Sequence, residues 1–161
     1  MWMLIAIVAA VVGADQFTKL WVVTHFGLFE SREIITGFFH LTYLTNTGAA
    51  FGMLAGEQSV LRQFFFIGVA VVALLAMAWF YRKLKKKSSL YTAAIGMISG
   101  GAIGNLVDRI RLGWVIDFLD FFVGKYHWPA FNVADSAISV GVGLFFLASY
   151  LDEKRQKKES L

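Results

Sequence analysis

Residues 64–81 read FFFIGVAVVALLAMAWFY, eighteen positions without a charge, and this stretch decides the class of fold. A helix needs about 20 predominantly apolar residues to cross the hydrocarbon layer of a bilayer. Three further stretches, 1–23, 90–107 and 129–151, have similar lengths and are apolar except for polar residues toward one end. The sequence therefore predicts an all-α membrane protein with four transmembrane helices.

The composition of the chain agrees with this class. Of its 161 residues, 58% are hydrophobic and only 16% are charged, whereas a soluble domain carries about a quarter charged residues. Nine of the fifteen Lys and Arg residues fall in two clusters, RKLKKK at 82–87 and KRQKK at 154–158, each directly after an apolar run. Such clusters are typical of the cytoplasmic ends of spans, so the net charge of +4 indicates a membrane flank and not a nucleic-acid partner.

The basic clusters also predict the orientation of a single membrane domain over 1–161. A cytoplasmic loop at 82–89 and a cytoplasmic tail at 152–161 put both termini in the cytoplasm and leave 24–63 and 108–128 as outer segments. The first span could be mistaken for a secretory signal, but it lacks a basic n-region. We interpret it as a retained span of a multi-pass protein.

The outer segments carry patterns of their own. Residues 34–45, IITGFFHLTYLT, are rich in β-branched and aromatic residues and predict a short β element, followed by a turn-like stretch, TNTGAAFG at 45–52. Residues 113–131, GWVIDFLDFFVGKYHWPAF, are dense in Trp, Tyr and Phe, which collect at the membrane–water boundary. Most of these aromatic residues are interpreted as interfacial anchors.

Small residues recur at four-residue spacing in the third and fourth spans: Gly96, Gly100 and Gly104, then Ser139 and Gly143. This spacing lets membrane helices approach closely. We expect the third helix to be buried against its neighbours along the glycine row, which Asp108 continues.

Polar residues of the spans and outer segments are predicted to meet at one depth near the outer face. A fourth helix that begins at Pro129 would put Asn132 in its first turn and Asp135 about 9 Å along its axis. Polar side chains from the other spans and the outer segments reach the same level: Asp15, Lys19, Asn46, Asn105, Asp108, Arg109 and Asp117. A charge near hydrocarbon costs roughly 3 kcal/mol, so such residues are functional candidates by default.

Asp117 and Asp135 have no obvious cation beside them in the sequence, and they are the first candidates for catalysis. If the two carboxyl groups face each other, both cannot ionise freely and the pair shares one proton. The ionised member would then take a proton from water while the protonated member polarises a carbonyl group. Hydrolysis would pass through a tetrahedral intermediate without an acyl-enzyme.

The remaining polar residues have structural interpretations. Asp15 and Lys19, one helical turn apart, predict a mutually neutralising pair, and Arg109 beside Asp108 is expected to fix a carboxylate or a backbone carbonyl. Three amide side chains are expected to tie backbone groups together: Asn46, Asn105 and Asn132. The histidines are isolated in the sequence and receive no role, and Asp120 is expected to face water.

Motifs of other chemistries are absent from the sequence. It has no cysteine, no His-Glu-x-x-His, no Gly-x-Ser-x-Gly and no Gly-rich phosphate loop, so we expect neither a metal nor a cofactor. Two alternatives stay open, a small proton-relay transporter and a structural membrane protein. A transporter predicts polar residues through the full thickness of the bilayer, and a structural role predicts that Asp→Asn changes leave function intact.

Taken together, the sequence resembles the lipoprotein signal peptidase family (signal peptidase II), bacterial membrane aspartyl proteases. The resemblance rests on five blocks in family order: DQFTK at 15–19, NTGAAFG at 46–52, GNLVDR at 104–109, VIDF at 115–118 and FNVADS at 131–136. It implies four transmembrane helices with a small extracytoplasmic β-cradle and a short outer helix.

The resemblance also implies an activity in the bacterial inner membrane, removal of the signal peptide from diacylglyceryl-modified prolipoproteins just before the lipidated cysteine. Asp117 and Asp135 match the catalytic dyad of the family. Apart from the resemblance, the density of aromatic residues in the outer segments suggests that they clamp the substrate, with Trp114 and Phe118 as the residues to test. The protein is expected to act as a monomer among membrane lipids. Other residues match further positions of the family, and the resemblance implies that they shape the site or hold substrate. They are Asp15, Lys19, Asn46, Gly48, Asn105, Asp108, Arg109, Asn132 and Ala134.

Overall fold

The computed structural model of the chain describes residues 1–48 and 59–159, and within these ranges it has four long helices. They are α1 (Trp2–His25), α2 (Val60–Leu84), α3 (Ser89–Arg111) and α4 (Val133–Glu159). Each helix is long and apolar enough to cross a membrane. Large apolar side chains such as Leu75 are exposed on the helix surfaces, as expected where lipid covers them. The predicted multi-pass membrane architecture is confirmed.

Helix α3 is the centre of the helical part, and it packs against α1, α2 and α4. Its glycine row faces α1, where added Cβ atoms would come within 3 Å of Ile7, Val11 and Asp15, opposite Gly96, Gly100 and Gly104 respectively. On its neighbouring face, a Cβ at Gly101 would collide with the backbone carbonyl of Ala134 in α4. The close packing that the glycine spacing predicts for α3 is therefore confirmed.

The close approach of α4 uses a different residue from the predicted Ser139 and Gly143, and Ser139 is exposed. No atom lies within 4 Å of a Cβ built at Gly143, so this glycine faces open space. A Cβ at Gly141 would instead lie 2.8 Å from Cγ1 of Ile98 and 3.0 Å from the carbonyl oxygen of Ala94 in α3. The small-residue pattern identified the right helix but the wrong face.

Helix α4 begins at Val133, four positions after the predicted start at Pro129. The segment before it is extended and bonds to a strand, with Phe131 N donating to Leu119 O at 3.1 Å and Leu119 N donating to Phe131 O at 2.8 Å. Asn132 is therefore the residue that caps the helix, and Asp135 lies in its first turn.

The described outer segments form a small antiparallel sheet of four strands in the order β1-β2-β3-β4. The strands are β1 (Ser31–Ile35), β2 (Phe39–Asn46), β3 (Val115–Val123) and β4 (Tyr126–His127). A turn with Gly37 at φ 72° joins β1 to β2, which confirms the β element predicted over 34–45. Strand β3 was not predicted, because its run of apolar and aromatic residues was interpreted as interfacial anchors.

The sheet packs on the end of α1. Phe118 of β3 is buried with Val22 and Phe26, and side chains from β2 and the start of α4 complete this cluster. The predicted role of Phe118 in clamping a substrate is wrong, because its ring is only 4% exposed inside this core. The cluster fixes β3, and with it Asp117, against the helices.

Part of one predicted segment lies outside the described residues. The turn-like stretch predicted at 45–52 extends beyond residue 48, where the described range ends. The short outer helix that the resemblance implied is not found within residues 1–48 and 59–159.

Candidate active site

The two leading candidates, Asp117 and Asp135, meet at the end of the helices that carries the sheet. Asp117 lies on β3 and Asp135 in the first turn of α4, and both line a cavity of about 330 Å³. Asn46, Asn105 and Arg109 line the same cavity. The structure therefore brings together acids that are distant in the sequence, as the dyad hypothesis requires.

Asn132 joins the two carboxylates. Its side-chain Nδ2 donates to Asp117 Oδ1 at 2.7 Å, and its backbone N donates to Asp135 Oδ2 at 3.3 Å. Its Oδ1 accepts from the backbone N of Asp135 at 3.0 Å, so Asn132 and Asp135 cap the start of α4 reciprocally. Asn132 and Asp135 therefore belong both to the helix cap and to the hydrogen bonds of the acid pair.

Each carboxylate also accepts a hydrogen bond from the side-chain amide of another asparagine. Asn46 Nδ2 donates to Asp117 Oδ2 at 3.0 Å, and Asn105 Nδ2 donates to Asp135 Oδ1 at 2.8 Å. Asn46 and Asn132 bond to backbone groups, as predicted, through Gly48 N and Asp135 N. The side-chain amides of these asparagines and of Asn105 also orient the two acids, which the sequence did not predict. A hydrogen bond from an amide to an ionised carboxylate is stronger than one between neutral groups. These contacts therefore hold the two carboxyl groups in fixed positions.

A buried ion cluster lies behind the acids. Lys19 Nζ is 2.9 Å from Asp15 Oδ2 and 2.8 Å from Asp108 Oδ2, and all three side chains are at most 4% exposed. Lys19 also donates to Asn105 Oδ1 at 3.0 Å, which leaves the amide nitrogen of Asn105 to face Asp135. The predicted pair of Asp15 and Lys19 is confirmed, with Asp108 as a further member.

The two carboxylates of the ion cluster, Asp15 and Asp108, also bind the backbone next to each candidate acid. Asp15 Oδ1 accepts from the backbone N of Ala134 at 2.9 Å, one residue before Asp135. Asp108 Oδ2 accepts from the backbone N of Ile116 at 3.2 Å, one residue before Asp117. The ion cluster therefore positions both candidates through their neighbours. Ala134 is fully buried against α3, where a Cβ added at Gly104 would lie 3.4 Å from its own Cβ.

Arg109 closes one side of the cavity. Its guanidinium donates to Gly48 O at 3.0 Å and to Asn105 O at 3.4 Å, which confirms the predicted bond to a backbone carbonyl. Gly48 N in turn donates to Asn46 Oδ1 at 2.9 Å. These contacts connect the end of β2 to α3 and hold Asn46 where its amide reaches Asp117.

Burial raises the pKa of Asp117 from 3.8 to about 7, and the charge of Asp135 adds to the effect. Hydrogen bonds from Asn46 and Asn132, together with the charge of Lys19, oppose the rise in this pKa. The carboxyl group of Asp117 is therefore protonated below neutral pH, whereas an ordinary aspartic acid is ionised.

Two contact groups were missed by sequence reasoning. Gln16 Nε2 donates to Asp15 Oδ2 at 3.2 Å and to Asp108 Oδ1 at 3.0 Å, and no local pattern indicates the second bond, which spans 92 positions of the sequence. Asp120 does not simply face water: His127 Nδ1 lies 2.9 Å and His40 Nδ1 3.4 Å from its carboxylate. These three residues come from separate strands, so nothing local in the sequence pointed to the contact.

No group of three or more His, Cys, Asp or Glu side chains suited to a metal ion is found within residues 1–48 and 59–159. What the site does contain is a pair of differently placed acids in one cavity, with amides directed at both. A multi-pass membrane protein with this arrangement falls in the class of membrane aspartic hydrolases.

Comparison with known proteins gives the particular family. Residues 7–151 match the family model for signal peptidase (SPase) II. The lipoprotein signal peptidase of Syntrophus aciditrophicus is 47% identical over 143 residues, 89% of this chain and 88% of that protein. The lipoprotein signal peptidase of Geobacter sulfurreducens is 48% identical over 151 residues, 94% of this chain and 93% of that protein. The chain belongs to the signal peptidase II family and is a membrane aspartic protease.

Solved structures agree with the fold. A bacterial membrane enzyme determined by the in meso method at 2.3 Å resolution superimposes with a TM-score of 0.84 at 33% sequence identity, over 96% of this chain and 92% of that chain. A second such structure, at 1.9 Å resolution, gives a TM-score of 0.80 at 34% identity, over 92% of each chain.

Proposed function

We propose that this protein removes the signal peptide from diacylglyceryl-modified prolipoproteins and cuts just before the lipidated cysteine. The observation that carries the proposal is that Asp117 and Asp135 line one cavity and are joined through Asn132. Membership of the signal peptidase II family supports lipoproteins as the substrate class. The cavity lies where the helices meet the sheet, which suits a substrate with a membrane-spanning helix and a lipid group at the bilayer surface.

The two acids would divide the chemistry of hydrolysis between them. Asp117 is only 3% exposed and is protonated below pH 7, so it can donate a hydrogen bond to the carbonyl oxygen of the peptide. Asp135 lies in the first turn of α4, where the helix dipole favours a negative charge. Its carboxylate also accepts hydrogen bonds from Asn105 Nδ2 and Asn132 N, which favour the ionised form, so we assign Asp135 as the member that accepts a proton from the attacking water.

The reaction then balances without any other reactant. Asp135 takes a proton from water while the water oxygen forms a bond to the carbonyl carbon of the peptide. Asp117 gives its proton to the carbonyl oxygen. When the tetrahedral intermediate collapses, the C–N bond breaks, Asp135 passes its proton to the leaving nitrogen, and Asp117 recovers one from the hydroxyl group. Both acids return to their starting states, and no acyl-enzyme forms.

The proposed orientation of the protein in the membrane follows from the positions of its basic residues. The exposed basic loop after α2 and the basic end of α4 would lie in the cytoplasm, with both termini, and the sheet and cavity near the outer face of the inner membrane. We also propose that the protein works as a monomer, since the two acids and the amides that contact them already form one cavity within the fold of a single chain.

A cleavage assay on purified protein tests the proposal. Wild-type enzyme is expected to cut a diacylated precursor and not the same precursor without the lipid. Asp117→Asn and Asp135→Asn should each lower turnover at least a thousandfold, since each removes one proton-transfer group. Asp152→Asn, near the opposite end of α4, is the matched control and should keep wild-type turnover.

Wild-type turnover by either variant of the pair would remove that residue from the mechanism. Equal cutting of the lipidated and unlipidated precursors would contradict the proposed substrate class while leaving the acid pair in place.

A further inference from the structure

A second cavity lies at the end of the helices away from the sheet. Its volume is about 570 Å³, and its walls come from α1, α2 and α3. Leu4, Leu75, Met77 and Ile95 are among the apolar side chains that line it. This end is where α1 begins, α2 ends and α3 begins, so the cavity is separate from the proposed catalytic site.

The cavity has an apolar body and a basic mouth. Arg82 and Lys85 line it at the last turn of α2 and just beyond, and both side chains are exposed. Along α2 the lining runs from Leu74 to Lys85, about 16 Å at 1.5 Å per residue. This length is close to half of the hydrocarbon core of a bilayer, about 30 Å thick. The groove therefore has the depth of the acyl layer of one leaflet.

The cations at the mouth have no acidic partner among the residues that the structure describes. Within residues 1–48 and 59–159, neither Arg82 nor Lys85 makes an ion pair, and Lys85 only lies 5.7 Å from the ring centre of Tyr81. Lys87 differs, because its Nζ is 2.7 Å from Asp152 Oδ2. Two unpaired positive charges thus lie beside an apolar groove, as in pockets between spans that bind anionic lipid head groups.

Aromatic residues fit this interpretation. Trp79 and Tyr81 line the groove near its mouth, and Lys83 Nζ lies 3.9 Å from the ring centre of Trp79. Trp and Tyr take this level at a membrane surface, where one part of the ring contacts hydrocarbon and the other contacts head groups. The mouth is therefore at head-group depth and the body of the groove at acyl-chain depth.

We propose that this groove binds one anionic glycerophospholipid of the leaflet opposite the catalytic cavity. An acyl chain fills the groove between α1 and α2, and the phosphate group contacts Arg82 and Lys85. A zwitterionic lipid would bring its own positive charge to the same cations and is bound less well. The site is independent of the proposed function, because none of its residues contacts the acid pair.

Native mass spectrometry of the full chain in detergent tests the site, with palmitoyl-oleoyl phosphatidylglycerol or phosphatidylcholine as the probe. Wild-type protein is expected to retain one phosphatidylglycerol at least tenfold better than phosphatidylcholine. Arg82→Gln with Lys85→Gln should remove this preference. Lys154→Gln with Arg155→Gln removes the same charge from the tail on the same side of the membrane, and it should leave retention unchanged.

A third variant tests the apolar part without any change of charge. Ala78 lines the groove with an exposed side chain, so Ala78→Trp should fill the space without disturbing the packing of the helices and should lower retention at least tenfold. Equal losses in the two double variants would mean unspecific attraction by net charge and would overturn the proposal. Unchanged retention by Ala78→Trp, or equal retention of the two lipids by wild type, would also overturn it.

Discussion

At the scale of single residues, the candidate site depends on how one lysine is placed. Lys19 contacts two buried carboxylates, Asp15 and Asp108, and it sets the orientation of the Asn105 amide. Removing one partner from a buried ion cluster is costly, because the charges that remain have neither water nor a counterion. The cluster therefore couples the stability of the fold to the position of the acids.

Replacing Lys19 by methionine should destabilise the protein strongly. We expect a loss of about 3–5 kcal/mol, because both buried carboxylates would lose their ionic partner. The midpoint of thermal unfolding in detergent measures the effect, and Lys158→Met on the exposed end of α4 is the control. Equal midpoints for the two variants would show that the buried cluster contributes nothing to stability.

The raised pKa of Asp117 predicts how activity depends on pH. Its carboxyl group must be protonated to act as the acid, and its pKa is about 7, so kcat/KM should fall about tenfold per pH unit above 7. Activity should return when the pH is brought back to 6, which separates ionisation from unfolding. A flat profile of kcat/KM from pH 6 to 9 would contradict the assignment of Asp117 as the acid.

At the scale of elements, α3 holds the site together because its neighbours approach it closely. The most severe contact is at Gly101, where an added Cβ would collide with the carbonyl oxygen of Ala134, next to Asp135. A backbone atom at the start of a helix cannot rotate away as a side chain can. The distance between α3 and α4 therefore depends on this glycine.

Gly101→Ala should separate α3 from the start of α4 and lower both stability and turnover. We expect a cost of about 1–3 kcal/mol, as for other overpacked positions, and a tenfold or larger loss of turnover. Gly143→Ala is the control, since its Cβ would meet nothing within 4 Å. Thermal unfolding and the cleavage assay give the two values. If the two variants behaved alike, the close contact of α3 with α4 would not matter for the site.

Local sequence patterns predicted the helices but not most of the sheet. The helices follow from hydropathy, and the glycine row from its four-residue spacing. Strand β3 pairs with β2 across a long separation in sequence, for example Leu44 with Asp117, and no local pattern records such pairing. Pro129 favours a helix start, but bonding of Phe131 to β3 delays that start to Val133.

The composition of the site was predicted better than its contacts. The two leading acids share one cavity as expected. The orientation of the asparagine amides depends on hydrogen-bond donors from distant elements. Lys19, for example, donates to Oδ1 of Asn105. The contact of His40, Asp120 and His127 likewise needs three strands in register, so residues that look isolated in the sequence meet in the fold.

At the scale of the whole molecule, the buried charged side chains of the described residues are confined to one end of the helices, whereas the basic side chains at the other end are exposed. Among the described residues, the buried charged side chains are Asp15, Lys19, Asp108 and Asp117, and all lie where the helices meet the sheet. A proton-relay transporter would need such groups through the full thickness of the membrane. Placement at one end agrees better with an enzyme that works at a single membrane surface.

The central claim is that Asp117 and Asp135 hold one proton between them at the working pH. Infrared spectroscopy of the purified protein tests this directly, because a protonated carboxyl group absorbs separately from a carboxylate. We expect a protonated-carboxyl band at pH 6 that disappears as the pH rises through about 7 and is missing in Asp117→Asn. A wild-type spectrum without that band at pH 6, or the same band in Asp117→Asn, would contradict the claim.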